Sequence, residues 1–408
     1  QRWQLDLSTL RGGKIESDLL HRDFTINAMA WEIGEEALLL HDPLRGEEDL
    51  AAGLIRWCSP TGFLDDPLRL LRAVRLSAQL GFAVEEATRE GMRRASHLLS
   101  RVSAERIRDE FFKILDQPGS AGHVQTLRDL GLLPRVLPGI ETMYEVPQGR
   151  RHQLPLWEHS LETLQALEGL VQDLPKIVPT HSRYLQSRLK GVLEDEIDLS
   201  LALKFVALLH DIGKPATKTV DETGRVRFFG HEAEGRSRIA SICRSLRLGR
   251  KIRGHAEALV ASHLRPLLLA SEDRWTQRAK YRFFRDLRDL GIDLLLLGWA
   301  DLQATVGEGD PQLCRYREFL REMMLYYWEE FVGLTRAPLV KGGDIIQTFN
   351  LSPGPQIGLL LQRIQEAEAE RRFATKEEGL EYLGAHLKEW LEAKGAEGKE
   401  EKRPEKTN

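Results

Sequence analysis

Apolar residues recur every three or four positions through most of the chain from Asp42 onward. This spacing is typical of amphipathic helices, and it predicts helices over residues 65–80, 85–99 and 103–115. Residues 157 to about 335 continue the pattern, broken by one hairpin-like insertion from Thr219 to Phe229. The sequence therefore predicts a mostly α-helical protein.

A short β-like region precedes the helices. Strict alternation from Trp3 to Ser8 and two apolar runs, Ala28 to Ile33 and Ala37 to His41, predict strands. Residues 1–42 have the pattern of the trailing part of a small sheet whose beginning is absent. We expect an incomplete N-terminus.

Turn-rich and charged segments supply the remaining boundaries. Leu137-Pro-Gly and Val146-Pro-Gln-Gly separate two helical regions. The charged residues at the C-terminus predict a disordered tail. We predict five segments: 1–42, a helical region at 43–150, a second at 151–335, a small helical module at 336–395 and the tail at 396–408.

The composition indicates the cellular location of the protein more clearly than the kind of molecule it binds. Three separated cysteines, Cys58, Cys243 and Cys314, exclude a disulfide framework and indicate the reducing cytoplasm. Apolar runs such as Ile292 to Trp299 are far shorter than the ~20 residues that span a bilayer, so we expect no membrane association. The net charge of −4 does not decide whether the partner is a nucleic acid.

One helix carries a regular row of arginines. Arg69, Arg72 and Arg75 share a face after Pro67, and Asp66 lies at its N-terminal end. An acidic acceptor beside an arginine donor matches the edges of cytosine and adenine and rejects guanine and uracil. The other arginines would then be free to neutralise a triphosphate. The alternative is a solvated charged helix with an N-terminal carboxylate.

A second constellation has the composition of a metal centre. The adjacent pair His210 and Asp211 ends an apolar helix, and a buried pair of this kind needs partners. Imidazole and carboxylate ligands suit Mg²⁺, Mn²⁺, Zn²⁺, Ni²⁺ or iron. A lone histidine on such a helix is more often a core residue, but several candidates in one region favour a metal. The candidate partners are His159, His231, His263 and Asp301.

The chain resembles the tRNA nucleotidyltransferase and bacterial poly(A) polymerase family. The resemblance rests on three strings in this order, residues 18–30, 41–50 and 63–75, and on residues 103–111. The resemblance implies the remnant of a small α/β nucleotidyltransferase head, followed by an all-helical neck for nucleotide selection and RNA binding. It also implies that Asp66 and Arg69 form a protein template for C and A. The remaining residues of the implied nucleotide site are Arg22 on the triphosphate, Asp23 and Asn27 shaping its pocket, and Arg72 and Arg75 completing it.

The same resemblance implies that Asp6 is the third carboxylate of the catalytic head. It assists an Asp-x-Asp pair that holds Mg²⁺, and this pair is not in the sequence. We therefore expect that the chain cannot polymerise alone, and that a head segment is missing in cis or is supplied in trans. His21 stands where the family usually has a second Arg, and Asp65 where it usually has Glu.

The histidine and aspartate constellation resembles the HD phosphohydrolase superfamily. Its pattern falls on His159, His210, Asp211 and Asp301, with His231 and His263 as accessory positions, and Lys214 matches the usual string. The resemblance implies a helical HD domain that hydrolyses phosphoesters with water activated by a divalent metal such as Mg²⁺, Mn²⁺ or Ni²⁺. Its expected substrates are 2′,3′-cyclic phosphates, 2′-nucleotides or phosphomonoesters.

Together these features predict a cytoplasmic tRNA nucleotidyltransferase that adds C and/or A from CTP and ATP with Mg²⁺, fused to the HD domain. One alternative is a standalone HD phosphohydrolase with a vestigial nucleotide pocket. Poly(A) polymerase and a pure RNA-binding scaffold are the others. A basic segment with interleaved aromatic residues, Arg274 to Arg288, is a further candidate RNA contact or a solvated helix face.

Overall fold

The computed structural model describes residues 9–10, 13–33, 38–149, 154–336 and 338–400, without the side chains of residue 336 and residues 393–400. The predicted strand at Trp3 to Ser8 lies outside these residues. The chain folds into two compact units. The first unit comprises residues 1–175, 182–263 and 296–310, and the second comprises residues 176–181, 264–295 and 311–408.

The first unit begins with an antiparallel hairpin among short helices. Trp31, Ile33, Leu38 and Leu39 on this hairpin are exposed. The first predicted strand is confirmed but begins later than expected, at Ala30, because Ala28 ends a 3₁₀ turn. The second is confirmed over Leu38–His41. The elements in order are α1 (Ile15–Leu20), β1 (Ala30–Ile33), β2 (Leu38–His41), α2 (Gly46–Ala52), β3 (Leu54–Ile55), α3 (Gly62–Asp65), α4 (Arg69–Leu80), β4 (Ala83–Val84), α5 (Glu86–Ala95), α6 (Ala104–Leu115), α7 (Ser120–Asp129) and α8 (Leu133–Val136).

The helix predicted over residues 65–80 is interrupted at Asp66. This residue is extended, with φ −143° and ψ 96°, between α3 and α4. Pro67 accounts for the break, because the proline ring disfavours the helical conformation of the preceding residue. The interruption leaves the Asp66 carboxylate at the start of the arginine-bearing helix.

The rest of the first unit is helical with two small hairpins. The hairpin predicted at Thr219 to Phe229 is confirmed, and a second one was missed at residues 192–198. Its turn residues, Asp195 and Glu196, have φ of 47° and 63° and lack the glycine or asparagine that signals such a turn. The elements are α9 (Leu156–Ile177), α10 (Ser182–Leu189), β5 (Val192–Glu194), β6 (Ile197–Asp198), α11 (Leu199–Leu209), α12 (Lys214–Thr217), β7 (Thr219–Val220), β8 (Val226–Arg227), α13 (His231–Ser245) and α14 (Arg250–Ser262).

The second unit is helical throughout its described residues. Its C-terminal helices enclose a small apolar core that includes Val340, Ile345, Leu360 and Leu383. Helix α22 is assigned to Glu400, residues 401–408 lie outside the description, and the disordered tail at 396–408 stays a prediction. The elements are α15 (Leu264–Ser271), α16 (Gln277–Leu287), α17 (Leu290–Val306), α18 (Pro311–Tyr326), α19 (Val332–Arg336), α20 (Gly342–Phe349), α21 (Pro355–Ala369) and α22 (Lys376–Glu400). Residues 296–306 of α17 belong to the first unit.

Three arginines of α16 converge on one buried carboxylate of α21. The Glu366 side chain is 3% exposed, and it accepts hydrogen bonds from Arg278 at 3.1 Å, from Arg282 at 2.7 Å and from Arg285. Lys280 pairs with Glu322 at 3.0 Å. Acidic residues within the unit therefore neutralise much of the positive charge of this basic segment, which the sequence indicated as a candidate RNA contact. None of the described helices is long and apolar enough to cross a membrane.

Candidate nucleotide pocket and metal centre

Side chains around α1 and α4 enclose a cavity of about 650 Å³ in the first unit. Its lining includes the whole nucleotide set proposed from the sequence, namely Arg22, Asp23, Asn27, Asp66, Arg69, Arg72 and Arg75. Thr9, Asp18, His21 and Leu76 complete the lining. Asp6, the predicted catalytic carboxylate, lies outside the described residues.

Two arginines hold the end of α1 against the cavity. Arg22 donates to the Asp18 carboxylate with its Nη2 at 2.7 Å, and its side chain is about half exposed. Arg69 donates from Nη2 to the carbonyl oxygen of His21 at 2.7 Å. The Arg69 contact joins the start of α4 to the end of α1, and both arginines line the cavity.

Asp23 connects three elements of the pocket. Its Oδ1 accepts from the backbone N–H of Phe24 at 2.9 Å and from Nδ2 of Asn27 at 3.2 Å. Its Oδ2 accepts from Nε of Arg72 at 2.8 Å. Asp23 is buried, so these bonds offset the cost of removing its charge from water.

Two of the arginines expected at the triphosphate have acidic partners. Arg72 is paired with Asp23, and Arg75 donates from Nε to Glu110 at 2.7 Å. Both acids come from distant segments, 49 and 35 residues away in the sequence. The spacing of residues within α4 predicted a face of arginines, but it could not predict the distant carboxylates that pair with them.

The Asp66 carboxylate has an arginine partner that the sequence did not indicate. Arg106 of α6 donates to Oδ2 of Asp66 at 3.0 Å, whereas Arg69 bonds to His21. Oδ1 of Asp66 also accepts from the backbone N–H of Leu68 at 3.3 Å. Asp66 and Arg69 both line the cavity, but the described contacts do not pair them with each other.

The HD-type residues come from five helices and the turns directly after them, and they meet in one buried cluster. His159 Nε2 lies 3.1 Å from Oδ1 of Asp301, and His210 Nε2 lies 3.2 Å from Oδ2 of Asp211. On the other side of Asp211, Oδ1 lies 3.4 Å from Nε2 of His231 and 3.5 Å from Nε2 of His263. Sequence reasoning selected these six residues, and the fold brings all six together.

The cluster has the hydrogen bonding of a metal centre. The Nδ1 atoms of His210, His231 and His263 lie 2.8, 2.8 and 2.7 Å from backbone carbonyl oxygens. These contacts place the proton on Nδ1 and leave Nε2 free to coordinate, as outer partners do in metal sites. Among the described residues, Nε2 of His210 and Oδ1 of Asp211 are buried without a well-directed hydrogen bond. The donor set therefore fits a divalent cation.

Without a cation, protons balance the charge of the cluster. Burial lowers the pKa of His210, but the Asp211 and Asp301 carboxylates outweigh it and raise the pKa to about 9. Burial raises the pKa of Asp211, yet Lys214 and His210 hold it well below its usual range. A bound cation would replace the proton of His210, because a ligating imidazole must be neutral.

Sequence reasoning missed two groups that support these sites. Gln148 is buried and accepts from the Lys214 ammonium at 2.7 Å, while Lys214 lies 2.6 Å from Oδ2 of Asp211. Arg106 reaches Asp66 from 40 residues away. No local spacing links either residue to its partner, so no signal in a single sequence would have found them.

Family profiles match three successive parts of the chain. The poly A polymerase head domain matches residues 4–56, and the probable RNA and SrmB-binding site of polymerase A matches residues 81–143. The HD domain matches residues 156–301, which include every residue of the cluster. The class is therefore a nucleotidyltransferase that carries an HD domain.

Curated relatives and solved structures narrow this class. A CC-adding tRNA nucleotidyltransferase of Thermus thermophilus is 33% identical and covers 93% of this chain and 79% of its own length. An A-adding tRNA nucleotidyltransferase of Deinococcus radiodurans is 32% identical, with 93% and 80% covered. The chain belongs to the tRNA nucleotidyltransferase family.

Solved CCA-adding enzymes share the fold. One in complex with ATP has a TM-score of 0.60 at 20% identity and covers 92% of this chain and 72% of its own. A Thermotoga maritima CCA-adding enzyme in complex with tRNA has a TM-score of 0.56 at 20% identity, with 91% and 74% covered. The predicted fold class, mostly helical with a nucleotidyltransferase head region, a helical neck and a helical HD domain, is confirmed.

Proposed function

We propose that this protein adds C and/or A to the 3′ end of tRNA in the cytoplasm, from CTP and ATP with Mg²⁺. The observation that carries the proposal is the cavity in which all seven candidate nucleotide residues meet. The CC-adding and A-adding relatives support the same substrate class.

Base selection rests on Asp66 and Arg69. Cytosine and adenine each present an amine beside a ring-nitrogen acceptor, which an acid and a guanidinium can bind together. Guanine and uracil present the reverse order, so they leave both protein groups mismatched. Arg106 holds Oδ2 of Asp66, and the incoming amine takes the remaining acceptor capacity of this carboxylate.

Triphosphate binding rests on the arginines at the end of α1 and along α4. Arg22 is the more exposed member of the charged pair that it forms with Asp18. Arg72 and Arg75 are partly neutralised by Asp23 and Glu110, so they fix the pocket's shape as well as its charge. Arg22 is therefore proposed as the main phosphate ligand.

Nucleotidyl transfer also needs carboxylates for Mg²⁺, which neutralises the leaving pyrophosphate. We assign Asp6 as one of them. The Asp-x-Asp pair of the family is proposed to come from a head segment in cis or in trans.

The buried cluster is proposed to be a second centre, for metal-dependent phosphoester hydrolysis. His159, His210, Asp211 and Asp301 would hold Mg²⁺, Mn²⁺, Ni²⁺ or a similar cation, with His231 and His263 beside them. The cation supplies Lewis acidity, and Lys214 provides a positive charge next to the phosphate position. Cyclic 2′,3′-phosphates, 2′-nucleotides and phosphomonoesters are the candidate substrates.

Binding of the four nucleotides to the purified chain tests the first proposal. Equilibrium dialysis with Mg²⁺ should show that CTP and ATP bind and that UTP and GTP do not. Asp66→Ala should remove this choice, and Arg22→Ala should weaken all four nucleotides alike, whereas the exposed Arg94→Ala should leave binding unchanged. Equal binding of all four nucleotides to the unsubstituted protein would contradict the proposal.

Incorporation distinguishes the remaining alternatives. With the head segment supplied, a tRNA lacking its 3′ end should receive C, A or both, and neither U nor G. A long A tract would indicate a poly(A) polymerase instead. Phosphoester hydrolysis without nucleotide binding would indicate a standalone phosphohydrolase.

A further inference from the structure

One segment of the first unit is strongly basic in an otherwise acidic chain. Residues 235–256 contain seven Lys and Arg residues and no Asp or Glu. Three of the seven have acidic partners at the edges of the segment: Arg238 pairs with Glu234, and Arg236 and Arg253 pair with Glu257. The other four surround the turn between α13 and α14 and form what we call the basic turn: Arg244, Arg247, Arg250 and Lys251.

All four side chains of the basic turn are exposed. Within the part of the chain that the structure describes, none of them forms an ion pair. Two acids of the neighbouring hairpin have other partners: Glu194 accepts the backbone N–H groups of Lys251 and Ile252 at 3.0 and 3.3 Å, and Asp195 lies 3.5 Å from Arg108. The charge of the turn is therefore available to an external anion.

Arg247 occupies a position that usually belongs to glycine. Its φ is 55°, and the N–H of Leu248 bonds to the carbonyl of Cys243 at 2.9 Å, which closes a Schellman-type helix end. A side chain in this left-handed conformation is strained, and retained strain of this kind marks candidate functional positions. The sequence keeps an arginine where glycine would fit with less strain.

The basic turn lies beside the helix that borders the nucleotide pocket. Arg106 of α6 contacts Asp66 at the pocket. Two residues later, Arg108 donates to the carbonyl of Arg247 at 3.3 Å. Two helical positions differ by about 200°, so the Arg106 and Arg108 side chains leave α6 on nearly opposite faces, one toward the pocket and one toward the turn.

We propose that the basic turn binds the sugar-phosphate backbone of RNA whose 3′ end enters the nucleotide pocket. The proposal rests on the proposed function. It gives the HD region an RNA-binding surface of its own, in addition to the RNA-binding role expected for the neck. Arginine and lysine side chains bind phosphates without reading sequence, so the turn positions the RNA rather than selecting it.

A matched pair of substitutions tests the proposal. Arg371 in the second unit has φ 57° at the end of α21, closes the same kind of helix end, and is 74% exposed but paired with Glu330. Arg247→Gly and Arg371→Gly therefore remove the same charge and relieve the same strain. Both should raise the melting temperature, which also shows that each variant folds.

Only Arg247→Gly is expected to weaken RNA binding. Fluorescence anisotropy with a tRNA lacking its 3′ end should show a loss of about fivefold to tenfold at 0.1 M salt. The slope of log K against log salt should fall by about 0.7 to 0.9, the value for one lost phosphate contact. Adding Arg250→Gln should deepen both effects, and Arg247→Lys should restore most of the affinity.

Equal affinities for the unsubstituted protein and Arg247→Gly would overturn the proposal, and so would equal losses in the two glycine variants. Loss of binding to anionic lipid vesicles with full tRNA affinity would overturn it in favour of a membrane contact. CTP binding by the same samples separates the two proposals. Failure of the unsubstituted protein to bind CTP and tRNA would contradict the proposed function itself.

Discussion

At the scale of single residues, His210 shows how the cluster manages charge in the absence of metal. The imidazole is fully buried beside two carboxylates, which stabilise its protonated form more than burial destabilises it. One unit of pKa shift corresponds to about 1.4 kcal/mol. The proton on His210 is therefore part of the stability of the metal-free fold.

The stability of the metal-free protein should fall as pH rises from 6.5 to about 9. The pKa of His210 is raised in the folded state, so its protonation stabilises the fold fully below pH 6.5, and this stabilisation is lost as the pH passes the folded pKa. The loss in the free energy of unfolding is about 3 kcal/mol at most. Urea unfolding with a chelator at several pH values measures this. His210→Asn should flatten the profile, whereas the exposed His123→Asn should not. A profile that rises over this range would refute the assignment.

Metal binding near pH 8 should release a proton from the same imidazole, because the ligating form is neutral. Adding Mn²⁺ to weakly buffered protein with a pH indicator should show about one proton per cation. His210→Asn should bind Mn²⁺ more weakly and release less. Binding without proton release would contradict the protonated state of His210.

The residues of both sites were largely predictable, but their partners were not. Asp66 and Arg69, and the pair His210 and Asp211, are recognisable because chemistry-bearing types occur at short, regular spacing. Arg106 and Gln148 are far from their partners in the sequence and have ordinary local surroundings. Only the tertiary fold specifies contacts of that kind.

At the scale of elements, close backbone packing positions one of the candidate metal ligands, His231. A Cβ added at Gly213 would lie 2.0 Å from the carbonyl oxygen of His231 and 2.5 Å from the backbone nitrogen of Gly235. These contacts press the start of α12 against the first turn of α13. His231, at the first position of α13, therefore takes its place in the cluster from a glycine two residues after Asp211.

Gly213→Ala should lower the affinity for Mn²⁺ by about 10-fold to 100-fold, the usual cost of disturbing a group that orients ligands. The added methyl group must move His231 away from Asp211. Gly254→Ala is the control, because a Cβ there meets nothing within 4 Å, and it should stabilise α14 by about 0.5–1 kcal/mol. Calorimetric titration measures both affinities. Unchanged affinity in Gly213→Ala would show that this packing does not position His231.

Helices α16 and α21 are joined by one carboxylate with three arginine partners. Glu366→Gln should lower the free energy of unfolding of the second unit by about 3 kcal/mol, because it leaves three guanidinium groups without their shared anion. Glu370→Gln, at a more exposed position of the same region, should cost about 0.5 kcal/mol or less. Hydrogen exchange of α16 and α21 measures the difference. Similar values for the two variants would show that burial of Glu366 adds little.

At the scale of the whole molecule, all six candidate metal ligands belong to the first unit. A cation at 100 times its dissociation constant would stabilise that unit by about 2.7 kcal/mol. Hydrogen exchange with and without Mn²⁺ should show protection in α11, α13 and α14 and none in α21 and α22. Equal protection of both units would contradict this assignment.

The overall architecture was predictable where the local spacing of apolar residues determines it. Helical spacing and the Gly-containing turn at residues 219–229 indicated the right elements. The hairpin at residues 192–198 was missed because its turn uses Asp195 and Glu196, and the division into two units depends on which faces meet. Periodicity identifies an apolar face but not the surface that covers it.

The order of protein synthesis decides when the buried cluster can be completed. Its four imidazoles and its first carboxylate leave the ribosome by residue 263, but the second carboxylate arrives only with Asp301. A nascent chain arrested before that point has an incomplete ligand set. A cation that needed all six side chains would therefore bind only after Asp301 has joined the cluster.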